Sequence, residues 1–275
     1  MTNSEFDDLR RVLQTACGVA LDDSKRYLIE GRLAPVIKRL GMTEVSDFAA
    51  RLASDPFGPL RTELVEALVT SESTFFRDHH PWETLASTII PEFLRRRATE
   101  RMLTFWCAAA STGQEPYSLA ILLRERFPEV VKTWKVSILA TDVSRSTLER
   151  ARSGRFSQIE VNRGLPAPLL IKHFRQDGLQ WQLNDDIRCM VEFRDLNLCR
   201  PWPSLPTCDV ILLRNVMIYF LPDDKKAILS RVARVLRPAG YLLLGAAETT
   251  LNLSDSFERV PELKAGFFRM TGGGS

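Results

Sequence analysis

The sequence lacks any uninterrupted apolar run approaching the 18 or so residues a membrane span needs. No basic start leading into an apolar stretch marks a signal peptide at its N-terminus either, so a cytoplasmic protein without membrane insertion is expected. It also lacks a C-x-x-C pair. Cys17, Cys107, Cys189, Cys199 and Cys208 are odd in number and scattered, which removes the usual zinc and dithiol patterns and leaves reduced, mostly buried thiols; no metal is expected. Charge of one sign is scarce: 37 basic against 34 acidic residues give +3, too little to argue for nucleic acid. There is no internal repeat, and no strand pattern before Leu103.

What is present is a globular composition, 45% hydrophobic and 26% charged, in a chain of 275 residues, long enough for one large domain or a small one joined to a medium one. Residues 1–70 read as short helices. "SEFDDLRRVLQTACG" offers Ser4 as a cap, acids in the first turn, an apolar stripe at Leu9, Val12, Leu13 and Ala16, and a terminal Gly18. "KRYLIEGRLAPVIKRLG" is a second helical segment, broken or kinked near Pro35 and stopped by Gly41. "TEVSDFAARLA" and "PLRTELVEALV" make two more, separated by the turn-rich "SDPFGP". From Lys25 to Arg39, five basic residues against Glu30 alone give +4, which by itself reads as a solvated helix face.

Beyond residue 100 the pattern alternates. Apolar runs at Leu103–Trp106, Val136–Ala140, Val210–Leu213 and Tyr241–Gly245 are short and continuous, as strands buried on both faces should be. Helical patterns lie between them in "EPYSLAILLRERF", "SRSTLERARSG" and "DDKKAILSRVARVLRPAG". The order predicts an α/β fold with a doubly wound parallel sheet, its ligands outside the carboxyl ends of the strands. His173–Phe193 alternates polar and apolar residues around turn signals and reads as an inserted antiparallel hairpin. Residues 271–275 are expected to be disordered.

In such a fold the first strand ends in a loop that must let a ligand approach the backbone, which accounts for small residues at Ala108–Gly113. The pattern G-x-G-x-x-G is absent and no G-K-[ST] follows, so a pyrophosphate site and a P-loop lose their support while a nucleoside still suits the loop. Asp142, at the end of the next strand, stands where an acid accepts from ribose hydroxyls, although an Asp there also serves as a helix cap. Arg214 and Asn215 interrupt an apolar run where a later strand ends, and Tyr219 brings an aromatic body with a polar tip to the same rim. Alone, such an arginine reads as a structural donor.

Six ordered stretches carry a resemblance: "STFFRD" (Ser73–Asp78), "AAASTGQEPYSLA" (Ala108–Ala120), "ATDVS" (Ala140–Ser144), "DLNL" (Asp195–Leu198), "RNVMIYF" (Arg214–Phe220) and "LRPAGYLLLGAAE" (Leu236–Glu248). Together they resemble the chemotaxis-receptor methyltransferases, the CheR family, over nearly the whole chain. The resemblance implies a Rossmann-like methyltransferase domain over 71–275 with an inserted small antiparallel β-subdomain, preceded by a small all-α substrate-docking domain over 1–70. It implies S-adenosylmethionine as cofactor, S-adenosylhomocysteine as product, and receptor glutamates as acceptors. Carried over by position, it implies that Ser71 (where relatives have asparagine), Ser73, Arg77, Ala108, Glu115, Asp142, Asn197, Leu198, Arg214 and Asn215 bind the cofactor. Gln114 replaces a more usual glutamate, and Arg77 and Tyr219 fall at the methyl-transfer region.

With the resemblance stated, the heptad-spaced Lys25, Arg32 and Arg39 are expected to dock the acidic cytoplasmic helical bundle of a chemoreceptor. The insert, short by comparison and with a single Gly178, implies an enzyme that needs no C-terminal pentapeptide tether on its receptor; a monomer is expected. Rival readings are a methyltransferase with another acceptor and a non-catalytic module that senses the cofactor or its product. Base-methylating relatives of the fold carry an Asn/Asp-Pro-Pro-aromatic motif where this chain has "RNVMIY".

Overall fold

The computed structural model describes residues 1–69 and 72–272. Four helices come first: α1 (Asn3–Cys17), α2 (Arg26–Arg39), α3 (Val45–Ser54) and α4 (Pro59–Leu68). Their facing apolar stripes, among them Leu9, Leu13, Ile29, Leu33, Ile37, Phe48, Leu52 and Leu64, close a core of their own. The cap of α1 is Thr2 and not Ser4: Thr2 Oγ1 accepts from Glu5 N while Thr2 N donates to Glu5, a reciprocal capping box, and Gly18 ends the helix in the left-handed region. Nor does Pro35 break α2. Ile29, Leu33 and Ile37, four residues apart and all buried, lie on both sides of the proline and anchor both halves to one core, which outweighs the single backbone bond the proline removes.

The remaining chain builds a seven-stranded sheet in the order β6-β2-β1-β7-β8-β10-β9. Its strands are β1 (Met102–Ala108), β2 (Lys135–Asp142), β6 (Val191–Asp195), β7 (Cys208–Leu213), β8 (Leu236–Leu244), β9 (Phe257–Arg259) and β10 (Phe267–Met270). The first five in spatial order are parallel; β10 runs antiparallel to β8, and β9 antiparallel to β10. Side-chain parity sorts the core: Phe105, Cys107, Ile138, Ala140, Val210 and Leu212 face one helical layer, and Trp106, Ala108, Leu139, Ile211 and Leu213 the other.

Helices α5 (His80–Thr84) and α6 (Ile90–Arg96), joined by a π-helical turn, precede β1; α7 (Gln114–Arg126) and α8 (Pro128–Thr133) follow it, α9 (Arg145–Ser153) follows β2, and α13 (Pro222–Val235) connects β7 to β8. The expected helix through Gly240 therefore stops five residues early. Pro238 has no N–H to donate and holds Arg237 extended, so the chain enters β8 at Leu236, in register with Cys208. Because the chain winds outward through β1, β2 and β6 and then returns to β7 on the other side of β1, the topological switch point lies between β1 and β7.

Between β2 and β6 sits the second, antiparallel sheet, β3-β5-β4. β4 (Phe174–Asp177) and β5 (Gln180–Leu183) form a hairpin turning at Gly178, and β3 (Arg155–Ser157) pairs with the far side of β5; the short helices α10 (Gln158–Asn162), α11 (Ala167–His173) and α12 (Asp185–Arg188) connect these parts. The insert thus begins earlier than the expected His173, and Val191–Phe193 leave it to enter β6, a main-sheet edge strand. An edge strand half-buried on one side alternates as a hairpin does, so the period alone did not separate them. Thr271, expected to be disordered, donates to Ser256 O (3.0 Å) and Asp255 O (2.7 Å), while 273–275 lie outside the described residues.

Candidate active site

The loop leaving β1 turns sharply with little glycine. Ala109 (φ 61°) and Ser111 (φ 52°) adopt the left-handed region beside Gly113 (φ 96°). At Gly113 a Cβ would also press on Tyr117 at 3.0 Å and Ala151 at 3.2 Å, so conformation and space both select glycine there. Asp142 holds this loop in place. One carboxylate oxygen accepts from Ser111 N (2.9 Å) and the other from Ser144 N (3.0 Å), tying the β1 loop to the entrance of α9. Burial pushes the Asp142 carboxyl above its ordinary range, against the backbone donors that favour the carboxylate.

Across the switch point, Arg214 leaves β7 with a side chain only 2% exposed. It donates to Glu115 (2.8 Å) in the first turn of α7, to Asp78 (2.7 Å) and to the carbonyl of Arg77 (3.1 Å), and its guanidinium lies over Trp82 at 5.9 Å. Burial raises the Glu115 carboxyl and the Arg214 charge opposes the rise. The turn before α5 is seated by Ser118: its Oγ accepts from Phe76 N (2.9 Å) and donates to Gln114 O (2.6 Å). Phe76, Asp78 and His79 all have positive φ, and between them the exposed Arg77 side chain reaches the cavity without a carboxylate partner among the described residues.

Two carboxylates of this site escaped sequence reasoning, Asp78, which pairs with Arg214, and Glu248. Glu248, beyond the end of β8, accepts four backbone N–H groups: Val216 (2.9 Å) and Met217 (2.7 Å) on one oxygen, Asn215 (2.8 Å) and Gly245 (2.7 Å) on the other. It pins the loop carrying Arg214, Asn215 (φ 57°) and Tyr219. Gly245 is required beneath it, since a Cβ would come within 2.7 Å of both Asn215 Nδ2 and Glu248 Oε2. The only advance signal for Glu248 was an acid at the end of the last matching stretch.

These parts surround a cavity of about 370 Å³ at the switch point. Ser73, Arg77, Glu115, Asp142, Asn197, Leu198, Arg214, Asn215 and Tyr219 all line it. Ala108 does not. As the last residue of β1 it turns into the second core, and Ala109 and Ser111 take its place at the wall. Ser71 lies outside the described residues. The amide of Asn197 is engaged within the fold, donating to Ala16 O (2.7 Å) and accepting from Cys199 N (2.9 Å). The expected docking stripe is split: Lys25 and Arg32 border the cavity, with Lys25 near Asp22 (3.2 Å) and Arg32 donating to Leu68 O (2.9 Å), whereas Arg39 pairs with Glu63 on α4. Lys25 lies in the 3-10 turn Asp23–Lys25 ahead of α2, so the heptad spacing to Arg32 and Arg39 does not run along one continuous helix, and the packing of α2 on α4 gives Arg39 its partner Glu63.

Residues 4–69 match the model of the CheR methyltransferase all-alpha domain, and residues 71–265 that of the CheR methyltransferase SAM binding domain. The chain belongs to the CheR methyltransferase family. Its relatives include the chemotaxis protein methyltransferase Cher2 of Pseudomonas putida, 37% identical over 261 residues. The chemotaxis protein methyltransferase 1 of Vibrio cholerae is 37% identical over 264 residues. In both comparisons the match covers 94% of this chain and 94% of the relative. The cavity, at the switch point of the SAM binding domain, is therefore the candidate active site of a CheR-family methyltransferase. No helix among the described residues is long and apolar enough to cross a membrane.

Proposed function

We propose that the protein is a protein-glutamate O-methyltransferase, transferring a methyl group from S-adenosylmethionine to glutamate side chains of chemoreceptor cytoplasmic helices and leaving glutamyl methyl esters and S-adenosylhomocysteine. The observation that carries this reading is the convergence, on one cavity of a CheR-family chain, of a buried acceptor (Asp142), a buried cation (Arg214), an exposed cation (Arg77) and a phenol (Tyr219). The donor set fits the cofactor. Arg214, bonded through both terminal nitrogens, brings a buried positive charge to the wall and Arg77 an exposed one, and a carboxylate-bearing ligand is drawn to such charges. Asp142 meets the backbone donors of Ser111, Val143 and Ser144, and its two oxygens, with about four acceptor sites, keep room for a hydroxyl group. A nucleoside with an amino-acid tail suits these groups; a pyrophosphate, without its glycines, does not.

In this reading Asp142 accepts from the ribose, Glu115 and Arg214 take the ammonium and carboxylate of the methionine end, and Asn215 and Leu198 wall the site. When bound, S-adenosylmethionine supplies a methyl group activated on a sulfonium. The acceptor glutamate is ionised at neutral pH and is its own nucleophile, so no general base is needed. The protein's contribution is alignment of the acceptor carboxylate and exclusion of water from it. Arg77 orients that carboxylate through charge-assisted bonds and Tyr219 holds its second oxygen.

Lys25 and Arg32, at the cavity border, meet the acidic receptor helix near its acceptor, and Arg39 adds to the approach surface. The two-residue turn Gly178–Leu179 of the insert supports action without a pentapeptide tether. We further propose that the enzyme works as a cytoplasmic monomer. Incubation with methyl-labelled cofactor and a receptor cytoplasmic fragment is expected to place base-labile label on glutamate. Stable label on another acceptor, or cofactor binding with no label transferred, would replace this reading by one of its rivals.

A further inference from the structure

Glu66 of α4 has no part in the chemistry above, yet it crosses from the helical domain to the entrance of α9. One of its oxygens accepts from Arg145 N (2.8 Å), and the other from Ser146 Oγ (2.5 Å) and Ser144 Oγ. A carboxylate at a helix N-terminus satisfies orphan donors and the dipole together, but here the cap comes from another domain. Ser144, held by Glu66, in turn donates its backbone N–H to Asp142 (3.0 Å) and caps α9 through Thr147 N (3.1 Å). Two hydrogen bonds thus connect Glu66 to the acid read as the ribose acceptor.

The catalytic domain returns the exchange. α1 carries no basic residue in its last turn, and its terminal carbonyls at Thr15 and Ala16 accept instead from Arg200 and from Asn197 Nδ2 (2.7 Å). A backbone bond from Ala20 N to Tyr219 O (2.9 Å) closes a third connection. All three land on loops at the cavity wall: the one after Asp142, the one at Leu196–Leu198, and the one ending at Tyr219.

We propose that Glu66 is a positioning residue through which the helical domain sets the affinity of the catalytic domain for its cofactor, by fixing the Asp142–Ser144 turn. The inference rests on the cofactor reading above. Simple charge repulsion predicts the opposite sign: Glu66 is one of the charges that disfavour ionised Asp142, so its removal would strengthen Asp142 as an acceptor. Positioning predicts that removal weakens it.

The test is calorimetric titration of the full chain with S-adenosylhomocysteine, for wild type, Glu66→Gln and Glu66→Ala, alongside cofactor-saturated kinetics and melting of the apo protein. Glu66→Ala is expected to raise Kd about tenfold, the size of a lost cap. Glu66→Gln, which keeps one carbonyl oxygen for Arg145 N, is expected to raise it about threefold and carries the test if the alanine variant folds poorly. KM for the cofactor should rise in parallel while kcat at saturation stays within about twofold. Unchanged or tighter binding, with only a lower melting temperature, overturns the proposal and leaves Glu66 a purely structural cap. Wild type that fails to bind S-adenosylhomocysteine overturns instead the cofactor reading, and the proposal with it.

Discussion

Glu248→Gln is the most informative single change, because it keeps the size and shape of the side chain while removing half of its acceptors. The carboxylate receives four N–H donors, two per oxygen. A glutamine keeps one oxygen for one pair and turns an NH₂ toward the other pair, so two charge-assisted bonds are lost and two donors face two donors. At about 1.5–3 kcal/mol each the lost bonds total some 3–6 kcal/mol, and water reaching the half-buried site should reduce this to about 2–4 kcal/mol. For a domain of this size that is a fall in Tm of about 4–16 °C by calorimetry or circular dichroism.

The effect on turnover should exceed the effect on folding at temperatures where the variant is still native. Arg214, Asn215 and Tyr219 ride on the released loop, and Asn215 is held at φ 57°, so a shift approaching 1 Å would lower methyl transfer by about a hundredfold. A variant whose Tm lies within about 2 °C of wild type and whose kcat/KM is unchanged would refute the assignment of Glu248 as the clamp of this loop.

Arg77→Ala should lower kcat/KM by a hundredfold or more, losing charge-assisted bonds worth about 3 kcal/mol to the acceptor, yet leave Tm nearly unmoved because the side chain is exposed; near-normal turnover would remove Arg77 from the mechanism. Because burial raises the Asp142 carboxyl above its ordinary 3.8, it protonates before an ordinary aspartate as pH falls. Affinity for S-adenosylhomocysteine should therefore weaken on acidification, starting above that value. The same desolvation makes the ionised group a cost to the folded apo protein, a cost present at neutral pH and relieved as pH falls through the folded-state pKa. A pH-independent Kd down to the acid limit of folding would sink this assignment. Rising salt should raise KM for the receptor fragment, and Arg39→Glu should raise it further, whereas a flat salt response would show that basic residues do not guide docking.

The sheet was legible because its strands are buried on both faces: the apolar runs read from the sequence fall within β1, β2 and β7 and, but for the final Gly245, within β8, and their parity separates the two cores. Boundaries were lost where two structures share one local pattern, as at Val191–Phe193, or where one proline governs a transition, as at Pro238. Lys25, Arg32 and Arg39 show a different limit. Seven-residue spacing predicts a shared face on one continuous helix, but Lys25 lies in the turn before α2, and the partners of Arg32 and Arg39, Leu68 O and Glu63, come from α4.

The candidate site divides along the same line. Asp142 and Arg214 could be singled out because each interrupts an apolar run at a strand end, with a helix cap and a structural donor as the competing readings, whereas Glu115 came from the resemblance alone. Glu66 and Glu248 were not: Glu66 takes Arg145 N and the hydroxyls of Ser144 and Ser146 about 80 residues away, and Glu248 takes backbone N–H groups, those of Asn215–Met217 more than 30 residues away and that of Gly245. Backbone N–H groups carry no residue identity, so such carboxylates leave no motif. The β1 loop needed clamping from outside for a physical reason: it reaches left-handed conformations at Ala109 and Ser111 without glycine, at a cost of order 1–3 kcal/mol for each. A glycine-rich loop would adopt the turn freely and need less support. Here the bonds from Ser111 N to Asp142, and from Ala110 N to Thr141 O (2.8 Å), offset the strain, which makes the same aspartate both the clamp of the loop and the proposed acceptor of the ligand.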